Sequence, residues 1–503
     1  MSRPLRISGG LALPRDKPGL DRSIQTIPLP PELIFPLLAH GDRALQPRVA
    51  PGDAVRAGDW LADGSRASAD GRVSAIETRA VLHPRLSEAP CVVLDTRSVL
   101  EPTTTVQSPG DPETPHPRRA RRLGPDSPLA TLLAAGIDGQ GGAGFPAAGK
   151  LAAVQAHGCR LLLINACECE PGIACDEALL QDEAAAVVAA IERLRRALQP
   201  ALTVIAIEHD KPRALAALRT ALVACPAVTL LLFEPIYPSG AETPLLTRVL
   251  AHAGLPAVPT GSRPAELGLL CLNVATAQAL GQALDGTRPG SRIVTLSGPD
   301  PALSLNARVT LGTPLRWLFE RTGHPVDANR ALRFGGPLSG HVRTACAHTL
   351  DAPITITTHA IALLPEAVDS SLPATRPCIR CGACAPVCPV NLQPQLLHWH
   401  AGAADQDALH RLGIDRCLEC GCCDAVCPSA IPLTLQFRAA RSLRRERARR
   451  HAEAERADTL IRERQARLQR EALRDRSVDT GSPAPNASVS AALARVKARA
   501  KRP

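Results

Sequence analysis

Eight cysteines around residue 400 constrain this chain more than any other feature. Cys378, Cys381, Cys384 and Cys388 run C-x2-C-x2-C-x3-C and are followed by Pro389; Cys417, Cys420, Cys423 and Cys427 repeat the pattern before Pro428. Three thiols two residues apart let one tight loop wrap three corners of a cubane, and the proline ends the loop. This is the spacing of a [4Fe–4S] run, present twice. Zinc sites use four ligands in two pairs rather than triplets closed by x3-C-P. Disulfides would need an oxidising compartment and an export signal. The opening stretch MSRPLRISGGLALPRDKPG has no uninterrupted apolar run, so no signal peptide is expected.

In two-cluster bacterial ferredoxins the fourth cysteine of each run ligates the other cluster. The expected sets are therefore Cys378, Cys381 and Cys384 with Cys427, and Cys417, Cys420 and Cys423 with Cys388. Cys422, wedged between two ligands, is given no ligand role. The remaining cysteines, with no export signal, point to a reducing cytoplasm.

The 503 residues are enough for three or four domains, and 45% apolar content supports packed cores. No charge-free apolar window of about eighteen residues occurs, so no membrane-spanning helix is expected. The net charge of +10 is concentrated at one end: residues 438–503 hold nineteen Lys/Arg against eight Asp/Glu, leaving the other 437 residues nearly neutral. The body is therefore not a nucleic-acid binder. The tail reads as a basic helix to about Arg476, either solvated with i,i+4 pairs or docked on anionic lipid or acidic subunits. The stretch from TGSPAPNAS onward reads as disordered.

Residues 1–100 are rich in Pro and Gly with short β-like runs. The run Pro51 to Asp59 reads as turn, strand and turn. It resembles the hammerhead barrel of biotinyl and lipoyl carriers, but Ser68 to Val73 lacks the lysine that would carry the cofactor. Residues 101–128 have no periodicity and read as a linker. Residues 129–285 read as α/β, with strands at Arg160–Asn165, Thr203–Glu208 and Thr229–Phe233 and a helix at Glu177–Leu198. Residues 291–325 read as a small βαβ-type unit.

Two further signals lie in the α/β region. One is the glycine loop Gly136 to Pro146, with G-x-G-x-x-G at Gly139, Gly141 and Gly144. The residues before it, Leu129, Leu132, Leu133 and Ile137, suit a helix face, not the strand of a Rossmann fingerprint. Glycines there still permit close backbone approach to a phosphate or a flat ring; a tight interdomain turn is the alternative. The other is Asn165-Ala166-Cys167-Glu168-Cys169-Glu170-Pro171 at a strand's carboxyl end, where open α/β sheets bind ligands. Solvated acids and buried small cysteines are the alternative there.

Gly139 to Lys150 (GxGGAGFP…K), Asn165 to Pro171 (NAxExEP), and Gly240-Ala241-Glu242-Thr243 with Asn273-Val274-Ala275-Thr276 resemble the NADH-oxidising flavoprotein subunit of respiratory complex I. The whole chain resembles the C subunit of Rnf-type ion-translocating electron transport complexes. That resemblance implies a multidomain α/β fold: a barrel-sandwich domain (1–100), the linker, an FMN/NADH-binding-like domain (129–285), a β-grasp domain (286–366), a two-[4Fe–4S] ferredoxin-type α-helical domain (367–437) and the basic tail (438–503). It implies that Gly139, Gly141, Gly142 and Gly144 line the flavin and nucleotide loop, that Phe145 stacks on a ring and that Lys150 meets phosphate. Asn165, Glu168 and Asn273 would contact FMN; Glu170 and Glu242 would lie near the nucleotide. This chain departs from the complex I pattern at Ala241, where a second acid is usual, and at Cys167, where an Asp is usual.

The resemblance implies two [4Fe–4S] clusters, FMN and the substrate NAD(H). A flavin joins a two-electron hydride donor to one-electron clusters. The expected partners are other subunits of a membrane complex and ferredoxin or flavodoxin, with peripheral attachment at the cytoplasmic face of the bacterial inner membrane. Two rival readings are a flavoprotein subunit of a soluble NAD-linked hydrogenase or formate dehydrogenase, and a non-enzymatic iron–sulfur scaffold with a degenerate nucleotide site.

Overall fold

The computed structural model describes residues 3–39, 43–84, 86–97, 127–287, 289–365, 374–479 and 487–499. Nearly all of the expected linker, 101–128, falls outside these residues.

The site-bearing unit is a parallel sheet in the order Val228–Phe233, Leu202–Glu208, Leu161–Ala166, Leu269–Asn273. The central strands are continuous apolar runs, LLLI and VIAI, as expected of parallel strands covered on both faces. One face packs on the helices Ala147–His157, Cys175–Leu198, Pro212–Leu222 and Val274–Ala283 through Leu151, Leu179, Leu215 and Val274. The other face packs on the helix Glu242–His252 through Leu245, Leu246 and Val249. Parallel register sets Asn165 directly opposite Asn273, so two asparagines 108 residues apart share one sheet edge.

A six-stranded mixed sheet follows. Ser291–Ser297 pairs antiparallel with Leu305–Thr310 and parallel with Ala360–Leu363, which continues to Ala331–Phe334 and His341–Thr344. The expected βαβ unit is thus a hairpin followed by the helix Leu315–Arg321. Only residues 298–304 join the first two strands, too few for a crossover to a parallel partner. Phe319, Phe334 and Ile361 centre the core beneath this sheet.

The N-terminal barrel is built on Glu32–Pro36, Glu88–Asp95, Gly71–Ala80 and Ala54–Val55 around Leu33, Leu61, Val73 and Leu94. At the hairpin that lacks a carrier lysine, the Asp70 carboxylate accepts from Ala57 N at 2.8 Å and ties two turns together. The first residues of the expected barrel of 1–100 reach beyond its sheet. Leu5 bridges to Phe233, Leu11 to Tyr237, and Gln25–Thr26 adds an edge strand to the six-stranded sheet.

The cysteine-rich unit has a small core of Val390, Leu392, Leu397, Leu409, Ile414, Ile431 and Phe437. Helices Pro394–Gly402 and Gln406–Arg411 separate its two runs. The helix that follows, Leu433–Asp479, is buried only at its start, through Leu433, Phe437 and Ala440. From Arg445 to Glu471 it is mostly exposed and laced by Glu446 to Arg450 at 2.8 Å and His451 to Glu455 at 3.4 Å, the solvated arrangement. Residues Ala487–Arg499 form a helix rather than the expected disorder. ASVSAALARVKAR has no Gly or Pro and is rich in strong helix formers. No helix among the described residues is long and apolar enough to cross a membrane.

Candidate functional site

Both cysteine runs trace the same backbone path. The residue before the second cysteine has positive φ in each, Arg380 at 60° and Glu419 at 55°; so does the glycine after it, Gly382 and Gly421, both at 75°. The third residue past the fourth cysteine repeats the device, Asn391 at 53° and Ala430 at 49°. Non-glycine residues in this region are uncommon and cost about 1 kcal/mol or more each, so a matched set marks a conformation that the surroundings enforce.

The thiols converge across the two runs. Cys378, Cys381, Cys384 and Cys427 line one cavity together with Ile379, Gln395, His398 and Ile431. Cys388, the last of the first run, is buried in the small core, against which Cys378, Cys384, Cys417, Cys423 and Cys427 also pack. Backbone amides already aim at sulfur: Leu392 N at Cys388 Sγ (3.3 Å) and Glu419 N at Cys417 Sγ (3.4 Å). Arg441 clamps the second run, donating to Cys417 O at 2.7 Å and to Glu419 at 2.6 Å. Four soft thiols around one cavity, and N–H donors turned to the sulfurs of Cys388 and Cys417 in the other set, are donors that fit iron–sulfur cubanes.

The glycine loop is threaded through the protein itself. A Cβ at Gly141 would lie 3.3 Å from Asn273 Cβ, and one at Gly142 would lie 2.8 Å from the His359 ring. Gly142 and Gly144 also have φ of 88° and 61°. Gln140 N donates to Thr276 Oγ1 at 2.9 Å, and Arg292 donates to Gln140 O at 3.2 Å. The loop is thus moored to the helix after Asn273 and to the six-stranded sheet. At its outer rim Phe145 is 45% exposed. Lys150 Nζ sits 5.9 Å from that ring, donates to Cys271 O at 3.1 Å and pairs with Glu242 at 2.6 Å.

The other sequence-derived residues lie at the same sheet edge with their polar atoms in use. Asn165 donates to Gly240 O at 2.7 Å and accepts from Cys167 N at 3.1 Å. Asn273 caps its helix through Ala275 N (3.0 Å) and donates to Asp176 at 2.5 Å. Glu168, 8% exposed, accepts from Asp176 N at 3.0 Å and Glu177 N at 3.2 Å, and so caps the Cys175–Leu198 helix. Glu170 accepts from Leu338 N (2.7 Å), Ser339 N (2.9 Å) and Ser339 Oγ (2.6 Å), which fills its carboxylate with the Phe334–Gly340 loop. The residues with groups at the open rim are Phe145, Lys150 and Glu242. Aromatic, cation and acid above a close-packed glycine turn suit a flat ring and a phosphate.

Beneath this edge lies a buried charge cluster that sequence reading missed. Lys211, 2% exposed, stands 3.2 Å from Glu177, 3.6 Å from Glu208 and 3.9 Å from Glu168. Lys17, from the N-terminal strap, donates to the carbonyls of Glu168, Glu170 (3.1 Å) and Ile173 (2.7 Å). Burial pushes Glu168 up, but Lys17, Lys211 and the two helix amides outweigh it and hold this carboxyl below its ordinary range. Asp176 is pushed up to about 7, first by burial and then by the charge on Glu168. No spacing marked Lys211, which stands three residues beyond the end of the strand Leu202–Glu208.

The raised Asp176 carries a pH prediction. Between the ordinary carboxyl value near pH 4 and about pH 7 the native chain holds a proton that the unfolded chain has released, so stability falls as pH rises through that window. Asp176→Asn is expected to match the parent near pH 5 and to exceed it at pH 8, by up to about 3 kcal/mol. Thermal melts at the two pH values check this; a variant less stable than the parent at pH 8 contradicts it.

Comparison with known proteins agrees with this division of the chain. Residues 5–98 match the RnfC barrel sandwich hybrid domain, 132–282 the Nuo51 FMN-binding domain and 374–431 the 4Fe-4S dicluster domain. The chain is 36% identical over 490 residues to the C subunit of the ion-translocating oxidoreductase complex of Vibrio cholerae, covering 94% of this chain and 61% of that protein. The corresponding protein of Pseudomonas aeruginosa is 37% identical over 479 residues, covering 92% and 59%. That of Haemophilus influenzae is 32% identical over 457 residues, covering 89% and 66%. The chain thus spans about three-fifths of the length of the first two relatives. An NAD+-reducing [NiFe]-hydrogenase structure aligns at 20% identity with a TM-score of 0.44, covering 62% of this chain and 59% of that one, too loose a likeness to carry residues across.

Proposed function

Because the chain belongs to the family of C subunits of ion-translocating oxidoreductase complexes, we propose that it moves electrons between NAD(H) and a partner subunit at the inner membrane. Its cofactors are FMN and two [4Fe–4S] clusters. The observation that carries the reading is one chain holding a close-packed glycine turn at a parallel-sheet edge and two cysteine runs of identical backbone path.

Cys378, Cys381, Cys384 and Cys427 would hold one cluster, and Cys417, Cys420, Cys423 and Cys388 the other. The glycine turn of Gly139, Gly141, Gly142 and Gly144, with Phe145, Lys150 and Glu242, would hold FMN and admit the nucleotide. Bound there, FMN supplies the conversion between a two-electron hydride donor and one-electron carriers. Phe145 offers a stacking face, and Lys150 is a cation that can exchange Glu242 for phosphate. Asn165, Asn273, Glu168 and Glu170 act one layer below, fixing the loops that form the floor. Ferredoxin or flavodoxin is the soluble exchange partner, and attachment to the membrane complex is peripheral at the cytoplasmic face.

Anaerobically purified chain reconstituted with FMN and iron tests this. NADH is expected to bleach cluster absorption near stoichiometrically, and Lys150→Ala to weaken NADH-driven reduction by roughly tenfold or more through the lost phosphate contact. Fully loaded protein whose clusters stay oxidised under NADH but reduce with dithionite would leave only the iron–sulfur scaffold reading.

A further inference from the structure

One side chain ties the parallel-sheet unit to the second cysteine run. Tyr237 is buried, and its phenol donates to Cys420 O at 2.7 Å. Its backbone is held from the other side, N to Leu11 O at 2.9 Å and O from Leu11 N at 2.8 Å. Two residues on, Ser239 Oγ donates to Glu208 at 3.1 Å, and Gly240 O accepts from Asn165 at 2.7 Å. The same short loop therefore touches the site floor at one end and a cysteine-run carbonyl at the other.

Other contacts put that run inward as well. A Cβ at Gly421 would lie 3.3 Å from Leu338 O, and Leu338 is held by Glu170. Cys388, which ends the first run but is the fourth thiol proposed for this cluster, also faces inward: a Cβ at Gly9 of the N-terminal strap would lie 2.7 Å from Cys388 O. Cys422 Sγ faces Tyr237 O at 4.0 Å. The Cys378–Cys384 loop is outermost by contrast: Cys381 is exposed, and Ile379 is 67% exposed.

We propose that Tyr237 is a positioning residue that docks the Cys417–Cys423 loop onto the floor of the flavin site, making that loop's cluster the inner one and the Cys378 cluster the outer one. The hydrogen bond ends on the carbonyl of a cluster ligand, so its loss changes the polarity around that cluster's sulfurs and the mobility of its loop. It leaves the outer cluster untouched. The order of electron arrival rests on the functional reading above; the contact itself does not.

The test compares the full iron-loaded chain with Tyr237→Phe, which keeps the ring and removes one hydroxyl. Potentiometric titration followed by EPR resolves two cluster signals, and Cys381→Ser identifies the outer one as the signal it alters. Tyr237→Phe is expected to keep the parent's iron content, shift the midpoint of the other signal and leave the outer signal in place. Amide exchange across residues 417–423 should quicken by roughly threefold to tenfold, as for one lost hydrogen bond, with residues 378–384 unchanged. Should Cys381→Ser fail to hold iron, the exchange pattern alone decides between the two runs. Tyr237→Phe moving the outer signal, moving neither, or loosening 378–384 instead overturns the proposal. In rapid mixing with NADH the Tyr237-linked signal should appear first. A parent chain that does not respond to NADH sinks the functional reading while leaving the Tyr237 shift measurable.

Discussion

Alanine at Cys427 is expected to remove the same cluster as alanine at Cys384, and alanine at Cys388 the same cluster as alanine at Cys420. The parent should carry about eight irons per chain and each variant about four. Reduced Cys427→Ala and Cys384→Ala should then share one surviving EPR signal, and Cys388→Ala and Cys420→Ala the other. The reasoning is geometric. Cys427 belongs to the second run in sequence, yet it lines the cavity of Cys378, Cys381 and Cys384. The matched positive-φ residues give both runs one path, so the same exchange is expected of Cys388 toward Cys417, Cys420 and Cys423. Iron and sulfide counts with EPR on the four variants decide it. A Cys427 variant that loses the same signal as the Cys420 variant shows ligation within each run instead. Cys388 is buried in the small core, so its variant should also melt earlier than the Cys427 variant.

Lys211→Met should be the most damaging change in the parallel-sheet unit outside its apolar core. The ammonium is the shared partner of Glu168, Glu177 and Glu208, and it too is almost fully buried. Removing it leaves buried carboxylates with only Lys17 as a nearby counter-charge, a loss of about 3–5 kcal/mol. For a unit of this size that is a fall of roughly 10 °C in its melting transition. Glu168 also caps the Cys175 helix, so the change reaches the floor of the flavin site, and FMN retention should fall with stability. The pH dependence has a definite sign. Without Lys211 the pKa values of Glu168 and Glu177 rise, so the native state binds more protons than the unfolded one, and the variant recovers stability as pH is lowered toward 5. Adding Glu208→Gln should restore part of the loss at neutral pH. Calorimetry of the single and double variants checks this; a Lys211→Met melt within about 2 °C of the parent would show that the carboxylates find another partner.

The residues legible in sequence and those that were not differ in kind. Cluster cysteines announce themselves because chelation by one tight loop demands fixed short spacing. The strands around Asn165 were readable because a buried parallel strand is a continuous apolar run. The strand Leu305–Thr310 was missed although LNARVT alternates apolar and polar residues along its length, because six residues of alternation do not show which strand they pair with. Glu168 and Glu170 were placed in the right loop, but their work as a helix cap and as a brace for Leu338 and Ser339 depends on partners up to 169 residues away. Lys17, Lys211 and Tyr237 gave no usable signal, since a lone lysine or tyrosine in a sequence is ordinarily a surface or core residue.

By itself the amino-acid order determined the cluster chemistry, the glycine turn, the basic tail and the family to which the chain belongs, since each rests on spacing or composition within a short window. The tertiary structure alone decided that Asn165 faces Asn273, that Lys211 is shared by three buried acids and that Tyr237 links the sheet to the second cluster loop. Local spacing encodes how a segment bends; which segments meet is set by burying apolar faces shared among distant elements, and that sum over the whole chain is not written in any one stretch.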